Sequence, residues 1–379
     1  MGTGEATRKQ SRYGCFLPDL TGLASVPSTA SPQLHYIRLI DQKSGLRGDE
    51  SSIFPNYLSA PFICFPIPDT SHPMINVFAG NPLDRAANQR REPAWLGDRL
   101  REPGTRFLLL WKLNALATDT DKPEIAWQPA TVVAPFLGDD SKCVFLGLDG
   151  GAARFAIDVS RASEDDAPPF TEHGRFGEVR ALGSLVPLAE AGIIAQARAL
   201  IDWHNRHTHC AVCGAPTIAV EGGYQRNCKA PACAAQHFPR TDPVVITLIR
   251  RPGVCLLGRS ARFPTDLYSC LAGFMEPGES IEEAVRREVL EECGIAVGAV
   301  RYHSSQPWPF PASLMIGCIG EGESEQIERD PIEIEDANWF TRAQVINALN
   351  GGDPETGLKI PPSLAIAHQL IRWWVDDEA

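Results

Sequence analysis

Apolar and polar positions alternate differently in three regions of the 379-residue chain. In the first region, residues 1–186, short apolar runs are separated by loops rich in Gly, Pro and Asp. The runs are FLLLWKLNALA (107–117), TVVAPFLG (131–138) and CVFLGLDG (143–150), and the polar turns include DDSK (139–142) and SEDDAPP (163–169). Such runs between turn residues predict strands or short helices. We expect a mixed α/β domain here, without a catalytic pattern.

The second region begins with a helical pattern at residues 187–206, PLAEAGIIAQARALIDWHNR. Pro187 suits the first position of a helix. An apolar-rich stripe recurs at i, i+4, i+7, i+8 and i+11, and it consists of Ile193, Ala197, Leu200, Ile201 and His204. The pattern predicts a linker helix between the first domain and a cysteine-rich segment, residues 207–240.

The third region, residues 241–379, has the pattern of a strand, a loop, a charged helix and further strands. The apolar run PVVITLI (243–249) predicts the first strand. A last helix is expected from about residue 362. One face of it would carry Leu364, Ala367, Leu370, Ile371 and Trp374.

Composition narrows the class of protein. The formal net charge of −12 argues against broad, charge-driven nucleic-acid binding. The apolar runs are far shorter than the ~20 residues of a membrane span, and MGTGEATRKQ at the N-terminus lacks the apolar core of a signal peptide. We expect no membrane and a cytoplasmic location. A peroxisomal location stays open, although the C-terminal DDEA is not a peroxisomal signal. Eleven cysteines without a signal peptide favour thiols or metal ligands over disulfides.

Four of these cysteines have the spacing of a metal site. Cys210 and Cys213 form a Cys-x-x-Cys pair, and after 14 intervening residues Cys228 and Cys233 form a second, wider pair. The segment TIAVEGGYQRN between the pairs predicts a strand, a Gly-Gly turn and a strand. Two such pairs joined by a hairpin bring four thiolates around one tetrahedral ion. We expect a zinc ribbon with one structural Zn²⁺ per chain, although His207, His209 and His237 lie near enough in sequence to replace a cysteine.

A run of carboxylates marks the second chemical feature, GFMEPGESIEEAVRREVLEECGI, residues 273–295. Strong helix formers fill ESIEEAVRREVLEE, Ser280 and Glu283 form a capping box, and Gly294 supplies the stop. On this helix Glu288, Glu291 and Glu292 lie at i, i+3 and i+4, so their carboxylates converge on one edge. Like charges so placed repel each other unless their carboxylate oxygens bind a hard divalent cation. Arg287 and Glu279 are expected to pair.

The same segment matches G-x5-E-x7-R-E-U-x-E-E-x-G-U, the Nudix box, at every fixed position, U being apolar. The fixed residues are Gly273, Glu279, Arg287, Glu288, Val289, Glu291, Glu292, Gly294 and Ile295. The chain therefore resembles Nudix hydrolases. The resemblance implies an α/β/α sandwich with a mixed sheet and a catalytic Mg²⁺ or Mn²⁺. Such an ion neutralises and orients a diphosphate and lowers the pKa of a bound water.

A stiff aromatic loop, SQPWPFPAS (305–313), follows the box. Together with the cysteine quartet and HFPRTDPVVITLI (237–249), it resembles the NADH pyrophosphatase family of Nudix hydrolases. A flat ring of a dinucleotide stacks on aromatic side chains, and prolines hold such side chains in place before binding. The resemblance implies that the N-terminal domain is Nudix-like and that the protein is a homodimer, with Trp308 reaching across the interface.

The family also implies individual roles. Ala272 would offer its carbonyl to the metal, and Glu333 would join Glu288, Glu291 and Glu292 as a metal-binding or catalytic carboxylate. Glu292 is our first choice as general base and Glu291 the second. The dinucleotide would contact Phe238, Phe274, Gln306, Pro307, Trp308, Pro309, Phe310, Pro311, Ala312, Ser313 and Ala367.

These features predict an enzyme that hydrolyses NADH or NAD⁺ to NMNH or NMN and AMP. The same chemistry would remove an NAD cap from RNA, and the basic residues Arg206, Arg226, Lys229 and Arg240 could meet an RNA backbone. Two alternatives remain. One is a Nudix hydrolase of ADP-ribose or another nucleoside diphosphate. The other is a non-catalytic module whose zinc ribbon binds nucleic acid or a protein partner.

Overall fold

The computed structural model describes residues 75–138, 142–162 and 169–377. Residues 1–74 and most of the two polar turns expected at 139–142 and 163–169 lie outside these ranges. No helix within the described residues is both long and apolar enough to span a membrane.

The first region forms a five-stranded mixed sheet. Its strands are β1 (Arg106–Trp111), β2 (Asn114–Ala117), β3 (Cys143–Asp149), β4 (Ala152–Asp158) and β5 (Arg175–Gly177), in the order β3-β4-β1-β2-β5. Strands β1 and β4 are parallel, and the other neighbours are antiparallel. Three short helices accompany the sheet: α1 (Pro93–Arg101), α2 (Ala130–Val133) and α3 (Val179–Gly183). The expectation of a mixed α/β domain is confirmed.

The predicted helix at 187–206 is α4 (Leu188–Arg206), with Pro187 at its N-cap. All five residues of the predicted stripe are buried. The four apolar ones pack with Leu108, Leu146 and Ala156 of the first sheet in one cluster. Because this face covers a sheet, α4 is part of the first region's core as well as its connection to the cysteines.

The cysteine-rich segment forms a small antiparallel sheet of β6 (Thr217–Val220), β7 (Gln225–Cys228) and β8 (Gln236–His237). The predicted Gly-Gly turn joins β6 and β7. Gly223 has φ +96°, and a Cβ atom there would lie 2.7 Å from Val144 of β3. Glycine is required because the turn is left-handed and packs tightly against the first sheet.

The third region is an α/β/α sandwich. Strands β9 (Asp242–Arg251), β10 (Val254–Arg259), β12 (Val297–Trp308), β13 (Ser313–Gly322) and β14 (Asp336–Thr341) form a mixed sheet in the order β12-β13-β9-β10-β14, and β11 (Leu271–Phe274) also pairs with β9. One face of this sheet packs against α5 (Ile281–Cys293), and the other against α6 (Arg342–Leu349) and α7 (Ile366–Asp377).

The expected start of the last helix at about residue 362 is wrong. Pro361 and Pro362 precede a turn closed by the Ala365 amide, which donates to the Pro362 carbonyl, and α7 begins only at Ile366. Ala367, Leu370, Ile371 and Trp374 are buried on one face as predicted. Leu364 lies before the helix and packs instead against the apolar cluster of the first region.

Candidate active site

Helix α5 begins and ends where its sequence predicts. The hydroxyl of Ser280 accepts a hydrogen bond from the Glu283 amide, and the Glu283 carboxylate accepts one from the Ser280 amide. Gly294 ends the helix with φ +68°. The buried face packs on the second sheet through Ala284, Val285 and Val289, and this packing fixes the direction of the carboxylates on the neighbouring edge.

Gly273 of β11 lies directly against the Glu288 carboxylate, which occupies the space that a Cβ atom at position 273 would need. Arg287 organises the surrounding groups. Its guanidinium pairs with Glu279, as predicted, and one of its nitrogens, Nη1, lies 2.9 Å from Glu288 Oε1 and 3.0 Å from Glu291 Oε2. Hydrogen bonds from Arg287 lower the pKa of Glu279 to about 2. Glu279, Glu288 and Glu291 are therefore held by one cation.

Glu292 lies in a different environment, only 6% exposed. Its Oε2 atom is buried without a hydrogen-bond partner. Burial, followed by the charges of Glu288, Glu333 and Glu291, raises the pKa of Glu292 to about 8. Burial is also the main cause of a raised pKa at Glu288, although Arg287 opposes it. Four carboxylates thus influence one another's charge, and the most buried of the three on α5, Glu292, has an oxygen without a partner.

A cavity of about 540 Å³ opens in front of these carboxylates. It joins residues that are far apart in sequence, and those we predicted for the site are Ala272, Glu292, Gln306, Trp308, Glu333 and Ala367. Phe263, Met315 and Ile366 add apolar surface, and Arg180 of α3 adds a positive charge from the first region. Its volume lies within the ~300–1,000 Å³ of small-molecule sites.

The donor set fits a hard divalent cation. Carboxylate oxygens are the ligands that Mg²⁺ and similar ions prefer, and Glu292 carries an unpartnered buried oxygen beside other acids. Among the residues that the structure describes, only the four cysteines have three or more ligand atoms within 4.8 Å of one another. The glutamates are less closely gathered, as mutual repulsion between like charges favours.

The four cysteines fit zinc. Their sulfur atoms lie within 4.8 Å of one another, and the amides of Val212 and Ala230 point at Cys210 and Cys228 from 3.4 Å. Such N–H···S contacts stabilise thiolates. Of the three nearby histidines, His237 contacts the Cys210 sulfur through Nε2 at 3.3 Å. Four cysteine ligands need no histidine to complete a tetrahedral site.

The aromatic loop packs on the first region of its own chain. Trp308 makes an edge contact with Phe78 at 6.0 Å between ring centroids, and Phe310 makes one with the same ring at 5.9 Å. The guanidinium of Arg198 donates to the Pro309 carbonyl at 2.8 Å. The loop is thus held between two folded regions, and Trp308 lines the cavity from this position.

Several predicted substrate residues lie outside the carboxylate cavity. Pro307, Pro309, Ala312 and Ser313 line a second cavity of about 470 Å³ on the other side of Trp308, and Phe310 and Pro311 line an open recess. Phe238 and Phe274 are more than half exposed and line neither cavity. Their roles in binding substrate stay predictions.

The polar atoms of Gln306 have protein partners. Nε2 donates to the carbonyls of Val77 and Leu364, and Oε1 accepts from the Ile366 amide. Gln306 therefore ties the first region to the start of α7. These partners were not predicted from the sequence, and neither were Arg180 or Asn76. The Nδ2 atom of Asn76 donates to Ser304 Oγ and to the Ser305 carbonyl. No local pattern marks them, since these contacts span up to 229 positions.

The sandwich, the complete box from β11 to the end of α5 and the carboxylates that it carries define a Nudix hydrolase domain. Three family models match in sequence order: a NADH pyrophosphatase-like rudimentary NUDIX domain at 104–203, a NADH pyrophosphatase zinc ribbon domain at 205–238 and a NUDIX domain at 239–358. The chain belongs to the NADH pyrophosphatase family of Nudix hydrolases. The family resemblance seen in the sequence is confirmed.

Named relatives agree with this membership. The chain is 39% identical over 340 residues to the NAD-capped RNA hydrolase NUDT12 of Homo sapiens, which covers 79% of this chain and 73% of that protein. It is 33% identical over 349 residues to a NAD-capped RNA hydrolase of Schizosaccharomyces pombe, covering 79% and 93%. The NAD(P)H pyrophosphatase NUDT13 of Homo sapiens, a mitochondrial protein, is 40% identical over 244 residues, covering 62% and 67%.

Proposed function

We propose that this protein hydrolyses the pyrophosphate bond of NADH or NAD⁺ to NMNH or NMN and AMP, and that it also removes NAD caps from RNA. One observation carries the proposal. A single cavity joins the carboxylates of Glu292 and Glu333 to the indole ring of Trp308. A dinucleotide needs both environments, since its diphosphate is charged and its rings are flat and apolar.

The residue roles follow from charge and position. We propose that Glu288, Glu291, Glu292 and Glu333, with the Ala272 carbonyl, hold Mg²⁺ or Mn²⁺. Such an ion neutralises the diphosphate and lowers the pKa of a bound water. Gly273 lets β11 approach Glu288 closely, and Arg287 fixes the rotamers of Glu288 and Glu291.

Glu292 is the general base that the environment favours. Glu292 lines the substrate cavity and has a buried oxygen without a protein partner, so its carboxylate is placed to take a proton from the attacking water. Glu291 is the weaker choice, because it is exposed and Arg287 binds its carboxylate at 3.0 Å. Trp308, Phe263 and Met315 would exclude water and hold a ring of the substrate.

The domain division is part of the proposal: a Nudix-like domain at 1–186, a linker helix at 187–206, a zinc ribbon with one Zn²⁺ at 207–240 and a catalytic domain at 241–379. The buried face of α4 favours assigning this helix to the first domain as well. A homodimer and a cytoplasmic location stay predictions.

A substrate panel tests the function. Purified protein is incubated with NADH, NAD⁺, ADP-ribose and an NAD-capped RNA, with Mg²⁺ or Mn²⁺, and the products are identified by mass. We expect NMNH or NMN and AMP from the dinucleotides, and 5′-monophosphate RNA from the capped RNA. Preferred cleavage of ADP-ribose would support the alternative Nudix activity. An intact panel with both metals would favour the non-catalytic binding module.

A further inference from the structure

An open recess of about 330 Å³ lies beside the catalytic cavity and is rich in arginine. Arg180, Arg198 and Arg206 line it together with Phe310, Pro311 and Glu178. Arg180 lines both this recess and the cavity that holds Glu292. The two spaces are therefore neighbours and share the Arg180 side chain as part of their walls.

Three cations face one carboxylate in this recess. Glu178 is partly engaged by the Ala181 amide, which donates to its Oε2 atom at 3.1 Å. Asp202 pairs with Arg206 through a 2.9 Å contact to Nε. Within the described residues no hydrogen bond or ion pair engages the guanidinium of Arg180, which rests on the rings of Trp308 and Phe310.

Arg198 is the most buried of the three. Its guanidinium lies 4.7 Å from the centroid of Phe310 and donates to the Pro309 carbonyl. Burial, and then the charges of Arg180 and Arg206, lower its pKa, while Asp202 and Glu178 oppose the shift. An anion in the recess would relieve this repulsion, and guanidinium forks match phosphate oxygens.

Two of the basic residues that the sequence suggests for RNA binding already have protein partners. Arg226 is bonded to Thr217 and to His204 Nδ1, and Arg240 pairs with Asp242 at 2.8 Å. Of the residues named for this purpose, Arg206 lines the recess beside the catalytic cavity together with Arg180 and Arg198. The positive charge next to the catalytic cavity thus comes mainly from α3 and α4 and not from the ribbon.

We propose that this recess binds the phosphodiester backbone of an RNA chain whose NAD cap occupies the catalytic cavity. The inference rests on the proposed function and adds to it the path of the RNA. Single-stranded nucleic acids are bound by basic grooves that follow the backbone, and Arg180, Arg198 and Arg206 line such a groove here. The RNA leaves the cavity past Arg180 and meets Arg198 and Arg206 next.

The test uses Arg206→Gln, because Arg206 lines the recess and does not line the catalytic cavity. Initial rates are measured with free NADH, NADPH and an NAD-capped RNA of ten nucleotides, between 50 and 200 mM KCl. We expect unchanged kcat/KM for NADH and NADPH. For the capped RNA we expect a fall of about threefold to tenfold at low salt, with a log–log salt slope shallower by about 0.7, the value for one single-stranded phosphate.

Arg198 supplies a second variant pair. Arg198→Gln should lower the ratio of capped-RNA to NADH activity, and Arg198→Lys should restore part of it, because the charge returns without the fork. Arg101→Gln is the matched control. Arg101 is an exposed arginine on α1, paired with Asp98, and it is not part of the recess.

A binding measurement separates this inference from the proposed function. Fluorescence anisotropy of a labelled capped RNA requires no turnover, so a weaker affinity of Arg206→Gln supports the recess even if the native protein cleaves nothing. Equal affinities and salt slopes for Arg206→Gln and Arg101→Gln would overturn it. A selective loss of NADPH activity would also overturn it, since the recess would then bind a 2′-phosphate.

Discussion

The absence of a Cβ atom at Gly273 leaves the space that the Glu288 carboxylate occupies. The Glu288 carboxylate fills the position of a Cβ atom at residue 273, so Gly273→Ala forces β11 and α5 apart or turns Glu288 away. Overpacking of this kind costs about 1–3 kcal/mol. We expect kcat/KM for NADH to fall at least about tenfold, measured beside Gly138→Ala, where a Cβ atom meets nothing within 4 Å. Similar rates for the two variants would show that the carboxylate site does not require glycine at position 273.

The raised pKa of Glu292 predicts that, without added divalent cation, the stability of the protein depends on pH. Its folded-state pKa of about 8 exceeds the usual carboxyl value, so the folded protein holds a proton that the unfolded chain loses. Stability should fall as pH rises from about 4.5 to 8, by up to about 1.4 kcal/mol per pH unit.

Thermal or urea unfolding at several pH values, with and without Mg²⁺, measures this slope. We expect a steeper fall for the native protein than for Glu292→Gln, and a flatter one when Mg²⁺ replaces the proton among the carboxylates. Parallel curves for the two proteins would contradict the burial of a proton at Glu292.

At the scale of single residues, the sequence predicts the side-chain contacts that form within or beside one helix. The Arg287–Glu279 pair and the capping box follow from spacing along α5, and the structure contains both. The bonds of Gln306 could not be predicted, because Val77 lies 229 positions away and Leu364 lies 58 positions away. Such contacts exist only after the two sheets have docked.

At the scale of elements, we expect the ribbon to depend on a bound metal ion. Its strands are two to four residues long, too short for independent stability without a staple. Cys228→Ser should abolish bound zinc and lower the unfolding temperature, because apparent binding energies of structural zinc reach ~10 kcal/mol or more. Zinc per chain is counted by atomic absorption, with Cys143→Ala outside the ribbon as control.

A native zinc content well below one per chain in fully folded protein would contradict this account of the ribbon.

The boundaries of a helix can be predicted from the sequence where its capping residues are local, as for α5. They were wrong for α7, where Pro361 and Pro362 displace the start to Ile366 although the apolar stripe extends back to Leu364. Leu364 is apolar for a different reason, since it packs against the first region.

At the scale of the whole molecule, the aromatic loop connects the two sheets. Asn76 is buried and bonded to Ser304 and Ser305 in the second half of β12. Asn76→Ala should lower stability by about 1–3 kcal/mol and raise KM for NADH more than it lowers kcat. Asn88→Ala, on the exposed surface, is the control. A lower stability with unchanged KM would mean that Trp308 is positioned without help from the first region.

Trp308 offers a direct check on that connection. The ring lines the cavity and also contacts Phe78, so Trp308→Ala should weaken dinucleotide binding. Magnesium affinity should not change, because the carboxylates lie on α5 and in the loop at Glu333. Calorimetric titrations of each ligand separate the two effects, and equal losses in both would make Trp308 a structural residue only.

The central claim is that the carboxylates of Glu288, Glu291 and the buried Glu292 on α5 gather a divalent cation, which activates water against a phosphoanhydride. The most direct measurement compares AMP and NMNH formation from NADH by Glu292→Gln and by Glu282→Gln, an exposed glutamate of the same helix. With Mg²⁺ or Mn²⁺ present, we predict that Glu292→Gln loses about 10²–10⁴-fold in kcat, while Glu282→Gln keeps native activity and both stay folded. Near-native turnover by folded Glu292→Gln would contradict the claim.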